Sequence, residues 1–304
     1  MQASGTAHAP LTARAPAPQP ARVACASPPW FQLQAESRWA TLDFISDLHL
    51  HRDDPATAKG WMDYLGRLEF DALFILGDLF EVWVGDDVLE QATDPADAIA
   101  PLHPERAFLR ACCAALQRCA LQRPVYVMQG NRDFLLGRGF HTATATHPLP
   151  DPTALHWNSA HWLLSHGDAW CLADTDYMGF REQVRSPAWQ QAFLSRPLEE
   201  REAIARGLRA QSEARKAASR HEANAWADVD TSTAVEWLNR TETTTLLHGH
   251  THRPACHPLP EGRQRVVLSD WDLSVHPPRA EVLRLRQQDC GAPHWQRIPL
   301  QGAA

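Results

Sequence analysis

The chain has 304 residues, 44% of them hydrophobic and 21% charged, enough for one sizeable α/β domain or for a domain of about 200–250 residues with an insertion or tail. Its 29 Lys and Arg stand against 36 Asp and Glu, a net charge of −7 that argues against a general nucleic-acid-binding surface. No run approaches eighteen apolar residues, so a membrane-spanning helix is excluded while attachment to a membrane surface is not. Residues 1–38 are rich in Ala, Pro, Gln and Ser and cannot easily bury a face, so they read as a disordered extension.

The folded part, 39–304, opens on the strand T-L-D-F-I at 41–45, followed by a helix over 56–68 and a second strand, A-L-F-I-L at 72–76. A long helix over 102–120 precedes the strand P-V-Y-V-M at 124–128. H-W-L-L-S at 161–165 and T-T-T-L-L at 243–247 are further strands, with R-V-V-L at 265–268 and E-V-L-R-L at 281–285 as antiparallel closing strands. Short strands alternating with helices predict βαβ units around a buried sheet. Residues 171–240 lack a strand pattern and read as a helical insertion between two core strands. The seven cysteines form no C-x-x-C pair; they suit a reducing compartment and read as free thiols.

The apolar strands before the closing pair run into short polar clusters: Asp47 and His49, Asp78, Asn131 and Arg132, His166, and His248 and His250. The carboxyl ends of strands in an open α/β sheet gather at one edge, so residues distant in sequence can meet there. Three oxygen donors (Asp47, Asp78, Asn131) and four imidazoles (His49, His166, His248, His250) make a mixed set suited to Mn²⁺, Fe²⁺ or Zn²⁺. Seven ligands are too many for one tetrahedral ion and natural for two, with Asp78 as the bridge. Alternate residues of an extended segment share a face, which pairs Asp47 with His49 and His248 with His250. Gly77 allows a tight turn before Asp78, and Gly249 relieves crowding between the histidines.

Those blocks, Asp47-Leu48-His49, Gly77-Asp78, Gly130-Asn131-Arg132-Asp133, His166-Gly167-Asp168 and Gly249-His250-Thr251-His252, resemble the calcineurin-like metallophosphoesterases over roughly 41–285. The resemblance implies a four-layer α/β/β/α sandwich with a helical lid at about 171–240. It also implies two divalent metal ions, with Mn²⁺ the usual choice. Asp47, His49, Asp78 and His250 would hold one ion, and Asp78, Asn131, His166 and His248 the other. The longer stretches I-S-D-L-H-L, L-G-D-L-F-E-V-W-V-G-D-D, G-N-R-D-F-L-L-G and H-G-H-T-H-R-P resemble the UDP-2,3-diacylglucosamine pyrophosphohydrolases of lipid A synthesis. That branch implies cleavage of UDP-2,3-diacylglucosamine to 2,3-diacylglucosamine 1-phosphate and UMP, through attack of a metal-activated water on the α-phosphorus. It also implies a cytoplasmic location, peripheral on the anionic inner-membrane surface, with no obligate protein partner.

Substrate contacts follow from the same resemblance. Cys171 to Arg181 resembles a C-x-x-D-x-x-Y-x-x-F-R segment and would put Asp174 and Tyr177 against the substrate. Asn131, Arg132 and His248 would face the phosphates, Arg132 through its planar fork. Ser212 and one or more of Arg215, Lys216 and Arg220 would contact substrate from the lid, in a stretch where the family pattern departs from this chain. His252 and Arg253 could orient phosphate or a metal-bound group. The stripe Trp189, Phe193, Leu194, Leu198, Ile204 and Leu208, interleaved with Arg196, Arg201 and Arg206, would offer an apolar face to acyl chains and basic side chains to lipid headgroups. Two other functions compete: a phosphoesterase for a soluble nucleotide or phosphoprotein, and a scaffold with a dead site. Both Asp78 and Asn131 are present, which counts against the scaffold.

Overall fold

The long apolar runs can be buried only if both their faces are covered, and the molecule covers them with two stacked sheets and outer helices. The structure, a computed structural model, describes residues 30–90, 103–219, 228–288 and 293–300, with 211–219 described by backbone alone. One sheet runs in the order β12 (His294–Pro299), β11 (Glu281–Arg286), β2 (Thr41–Ile45), β3 (Ala72–Leu76), β4 (Val125–Met128), β5 (His147–Pro148). The other runs β1 (Phe31–Gln34), β6 (Thr153–Trp157), β7 (Ala160–Leu164), β8 (Thr245–His248), β10 (Gln264–Val267), β9 (Ala255–Pro258).

Side-chain alternation sets the layers. Leu42 and Phe44 of β2, with Phe74 and Leu76 of β3, face inward and meet Leu164, Leu247 and Val266 of the opposite sheet. Phe44 and Phe74 stack with ring centres 5.0 Å apart. The alternate residues Ile45, Leu73 and Ile75 face outward, where they pack under α1 (Pro55–Arg67) and α2 (Pro104–Ala120). On the far side, Leu163 and Leu246 are covered by Trp170 and by Trp237 and Leu238 of α7 (Thr231–Arg240). This is the four-layer α/β/β/α sandwich.

Local chemistry fixes the helix ends. The Asp54 side chain accepts the Thr57 N–H at 3.1 Å, Pro55 takes the first helical position, and Leu68 ends α1 in the left-handed region. One charge lies beneath that helix: Asp43 on β2 sits opposite Arg284 on β11 and accepts two bonds from its guanidinium at 2.7 and 2.8 Å, while Tyr64 of α1 donates a third at 2.8 Å.

Three expectations shift. The first folded element begins earlier than residue 39: β1 pairs in parallel with β6, and Ala35 and Trp39 are buried between the sheets, so 30–38 belong to the fold. Residues 1–29 lie outside the described residues. The closing strands are mixed, since β10 runs parallel to β8 and antiparallel to β9, while β11 is antiparallel to β2 and β12. Finally, 171–240 divides. Helices α4 (Thr175–Arg185), α5 (Pro187–Leu194) and α6 (Leu198–Ser219) lie outside the sheet layers, with α5 and the first half of α6 packed on the α1–α2 side of the core, whereas α7 packs on the second sheet. Cys112, Cys113, Cys119 and Cys171 are buried free thiols and Cys256 is exposed. Cys25 and Cys290 lie outside the described residues.

Candidate metal centre

The parallel strands β2, β3 and β4 of one sheet and β7 and β8 of the other end at the same edge of the sandwich, and the polar clusters leave from those ends. The turns are tight. Asp47 (φ 54°), His49 (47°), Asp78 (52°), His250 (66°) and His252 (51°) all adopt the left-handed region, which an L side chain occupies at a cost of about 1–3 kcal/mol each. Such strain gathered at one edge marks a site held in shape by its surroundings. A Cβ on Gly249 would lie 2.2 Å from Asp47 Oδ2 and 2.3 Å from Ser46 Oγ, so a glycine is obligatory there. At Gly77, φ is 92° and a Cβ would meet the His166 ring at 2.5 Å.

The side chains converge in two neighbouring groups. His49 Nε2 lies 3.9 Å from Asp47 Oδ1, 3.8 Å from Asp78 Oδ2 and 3.2 Å from His252 Nε2, and His252 Nε2 is 3.4 Å from Asp47 Oδ1. Beside them, His166 Nε2 lies 3.7 Å from Asp78 Oδ1 and 3.0 Å from Asn131 Oδ1, and His250 Nδ1 is 2.8 Å from the same amide oxygen. Asp78 touches both groups. Other bonds hold these side chains' orientation: His166 Nδ1 donates to the Leu76 carbonyl at 2.9 Å, and Ser46 Oγ and the His250 N–H donate to Asp47 Oδ2 at 2.6 and 2.9 Å.

His248 is a correction. It was expected to ligate together with His250, but the two histidines the structure brings to the cluster from this segment are His250 and His252. His250 takes the place expected of His248, and His252 the place expected of His250. Spacing by two residues permits either pair, and the phase of β8 decides. Leu247 faces the space between the sheets, so His248 points with Leu246 to the outer face. There it is fully buried, and its Nδ1 donates to the Gly249 carbonyl at 2.8 Å.

The electrostatics suit cations. Burial is the largest influence on Asp47 and opposes ionisation, yet the neighbouring His252, 3.4 Å from Oδ1, then the charges of His166 and His49, hold the carboxyl well below the usual range. Burial also works against a charged His166, but Asp78, Asp47 and Asp168 overcome it and raise the imidazole to about 9. His250, buried and next to His166, falls to about 4, and His248, buried and near Arg265, to about 3. Asp47 Oδ1 is buried without a hydrogen-bond partner, a costly arrangement unless something else meets that oxygen.

Comparison with known proteins gives the same picture. The family model described as Calcineurin-like phosphoesterase matches residues 40–254. The chain belongs to the calcineurin-like phosphoesterase family. It is 45% identical over 232 residues to a UDP-2,3-diacylglucosamine hydrolase of Chromobacterium violaceum, covering 76% of this chain and 90% of that protein. A protein of the same name from Aromatoleum aromaticum is 41% identical over 233 residues, covering 75% and 88%. A solved dimetal phosphatase from Danio rerio aligns with a TM-score of 0.44 at 13% identity over 86% of this chain and 99% of that one. Membership implies a dinuclear metal site, and the residues fit one. Buried carboxylates, an amide oxygen and imidazoles meet within reach of one another, and an unpartnered oxygen faces the cluster.

The expected substrate residues fare unevenly. Arg132 stands at the site's rim, its backbone N–H on Asp78 Oδ1 at 2.8 Å and its guanidinium 3.3 Å from Glu81. The Tyr177 ring lies 5.8 Å from that of His250, but its hydroxyl donates to Asp168 at 2.6 Å. Asp174 is exposed and caps α4 by accepting the Tyr177 N–H at 3.0 Å. Ser212, Arg215 and Lys216 fall on the α6 backbone, their side chains outside the described residues, and Arg220 lies outside them altogether. The apolar stripe is partly spent on the body of the protein: Phe193, Trp189, Leu198 and Ile204 pack on the core, leaving Leu194 and Leu208 exposed. Arg201 is likewise not offered to a membrane, since it is buried, bonded to the Val84 carbonyl and paired with Asp87.

Sequence reasoning left His252 out of the cluster that the structure forms and overlooked three carboxylates, each within one of the motifs. Asp133 accepts the N–H groups of Gly130, Leu79 and Phe80 at 2.7, 2.8 and 3.3 Å, tying the β3 and β4 turns together. Burial and the neighbouring Asp78 raise its carboxyl to about 6. Asp168 gathers Tyr177 and Arg181 and so docks α4 beside the histidines. Glu81 lies beside His49.

Proposed function

We infer that this chain hydrolyses the pyrophosphate bond of UDP-2,3-diacylglucosamine, releasing 2,3-diacylglucosamine 1-phosphate and UMP. The observation that carries the reading is the 45% identity to a UDP-2,3-diacylglucosamine hydrolase over 90% of that protein, joined to a converged cluster of seven side chains whose donor atoms could hold metal ions. Asp47, His49, Asp78 and His252 would hold one divalent cation and Asp78, Asn131, His166 and His250 the other. The mixed oxygen and nitrogen donors support Mn²⁺. When bound, such a pair neutralises phosphate charge and lowers the pKa of a water.

The chain's own groups do the rest. Asn131 Oδ1 accepts from one imidazole and stands next to another, so its amide is fixed and can turn only its NH₂ group to a phosphate oxygen. Arg132 supplies a planar cation, with Nε buried and unpartnered, at the mouth of the cluster. Attack at the α-phosphorus would leave UMP carrying the new oxygen. Tyr177 would present its ring, with its hydroxyl committed to Asp168, while Asp174, Ser212, Arg215, Lys216 and Arg220 remain the substrate-facing candidates of the insertion. The exposed apolar side chains Leu172, Phe180, Leu194 and Leu208 on and beside α4–α6 favour an acylated substrate over a soluble nucleotide, and support work at the cytoplasmic face of the inner membrane. No helix among the described residues is long and apolar enough to cross a membrane. Comparing UMP release from the diacylated sugar nucleotide and from unacylated UDP-N-acetylglucosamine tests the reading; equal rates would remove the acyl-chain assignment.

A further inference from the structure

Glu81 follows Asp78 by three residues, and backbone pairing fixes its place. The Leu50 N–H donates to the Leu79 carbonyl at 3.0 Å and the Glu81 N–H to the Leu50 carbonyl at 3.2 Å, extending the β2–β3 ladder past the metal-binding turns. Leu50 and Phe80 are buried beneath it, so the residue cannot drift relative to His49. Its side chain is 10% exposed and meets three groups. Oε2 lies 3.0 Å from His49 Nδ1; Oε1 lies 3.3 Å from Arg132 Nη1 and 3.4 Å from Arg209 Nε of α6. The His49 contact is close but not well aligned as a hydrogen bond, so its effect at this distance is chiefly electrostatic.

The consequence lies across the ring. A carboxylate beside Nδ1 favours the proton there and leaves the Nε2 lone pair for the opposite side, where Asp47 and Asp78 stand. The second oxygen restrains two arginines from different parts of the chain, one beside ligand Asn131 and one on the helical insertion. We propose that Glu81 is a positioning residue that fixes the His49 tautomer for cation binding and, with its other oxygen, ties Arg132 and α6 to the same centre. Oε1 holds the two arginines where an incoming phosphate would meet them while Oε2 stays on His49, so a single carboxylate links the cations, the phosphate site and the insertion. This rests on reading the cluster as a metal centre.

Two substitutions separate the effects. Glu81→Ala removes charge and acceptor; Glu81→Gln keeps the volume and an acceptor but loses the charge. Metal-free protein is titrated with Mn²⁺ by calorimetry, and the His49 ring nitrogens are followed by long-range ¹H–¹⁵N spectra of the metal-free chain, assigned with a His49→Gln sample. The full chain should bind two Mn²⁺ and show His49 protonated on Nδ1. Glu81→Ala should weaken one of the two Mn²⁺ sites by about 10- to 100-fold, as loss of an outer-sphere partner does, and mix the tautomers, with Glu81→Gln between. Both variants should also raise the KM for a phosphodiester through the released arginines. If Glu81→Ala fails to fold, Glu81→Gln carries the test alone. Two Mn²⁺ sites of unchanged affinity and an unchanged His49 tautomer in folded Glu81→Gln and Glu81→Ala would overturn the proposal. Absence of Mn²⁺ binding by the unsubstituted chain would overturn the metal reading itself, together with this one.

Discussion

Replacing His252 and His248 in turn by Gln separates the two ways of reading the H-G-H-T-H segment. His252 Nε2 is 3.2 Å from His49 Nε2 and 3.4 Å from Asp47 Oδ1, and its side chain is 41% exposed. Its loss should therefore leave stability within about 0.5 kcal/mol of the parent. Cation affinity should suffer more. Outer-sphere partners of metal ligands cost 10- to 100-fold when removed, and a direct ligand should cost at least that, roughly 1.4–2.7 kcal/mol. His248 offers the opposite pattern. It is fully buried, with Nδ1 bonded to the Gly249 carbonyl, so His248→Gln should lose about 1–3 kcal/mol of stability and still bind two cations. Urea midpoints give the first quantity, and metal content after equilibrium dialysis gives the second. A His248→Gln protein that loses one cation, beside a His252→Gln protein that retains both, would refute the assignment.

Three further outcomes follow from separate parts of the molecule. Arg284→Met leaves the buried Asp43 carboxyl without its counter-charge and deprived of two bonds, and should cost about 3–5 kcal/mol in denaturant unfolding; the double change Asp43→Leu with Arg284→Met should recover much of that. Burial pushes Asp228 up, but its bonds to Arg265 and the Val229 N–H outweigh that and lower it to about 2. Because the folded pKa lies below the unfolded one, this contribution is complete above about pH 4 and drains away as the pH falls towards 2. Asp228→Asn should therefore flatten the acid limb of the stability profile below pH 4, and an unchanged limb would remove Asp228 from that role. Tyr177→Phe frees a bond on Asp168, while Asp168→Asn weakens the docking of Tyr177 and Arg181 alike. If only the ring of Tyr177 faces substrate, Tyr177→Phe should keep KM within about two-fold and Asp168→Asn should raise it more, since hydrogen bonds to a charged group are worth about 1.5–3 kcal/mol.

The central strands were legible because each is an apolar run that stops abruptly at a polar pair; burial on both faces writes itself into composition as it does for Ala72–Leu76. β1, β5, β6, β9 and β12 carried no such mark. F-Q-L-Q at 31–34 and H-W-Q-R-I-P at 294–299 mix polar and apolar residues at sheet edges, and β5 is two residues long. Their existence depends on which neighbour they pair with, which a local pattern does not record. The same limit decided the histidines. Residues 248, 250 and 252 all satisfy an alternate-residue rule, and only the way β8 presents Leu247 inward, followed by left-handed turns at His250 and His252, selects among them. In the insertion, an apolar stripe marked a face without saying what covers it. Phe193 and Trp189 turn to the core, while Arg201 is consumed by Asp87 of the segment after β3.

Hydrolysis of UDP-2,3-diacylglucosamine in ¹⁸O-labelled water, by purified chain stripped of metal and reloaded with Mn²⁺, reads the function and the site of attack together. Mass spectrometry should find UMP and 2,3-diacylglucosamine 1-phosphate in equal amounts, with ¹⁸O in the UMP and no turnover before reloading. Label in the lipid phosphate would contradict attack at the α-phosphorus. Full activity in stripped protein, or none on this substrate from protein that still cleaves a simple phosphodiester, would contradict the function assigned.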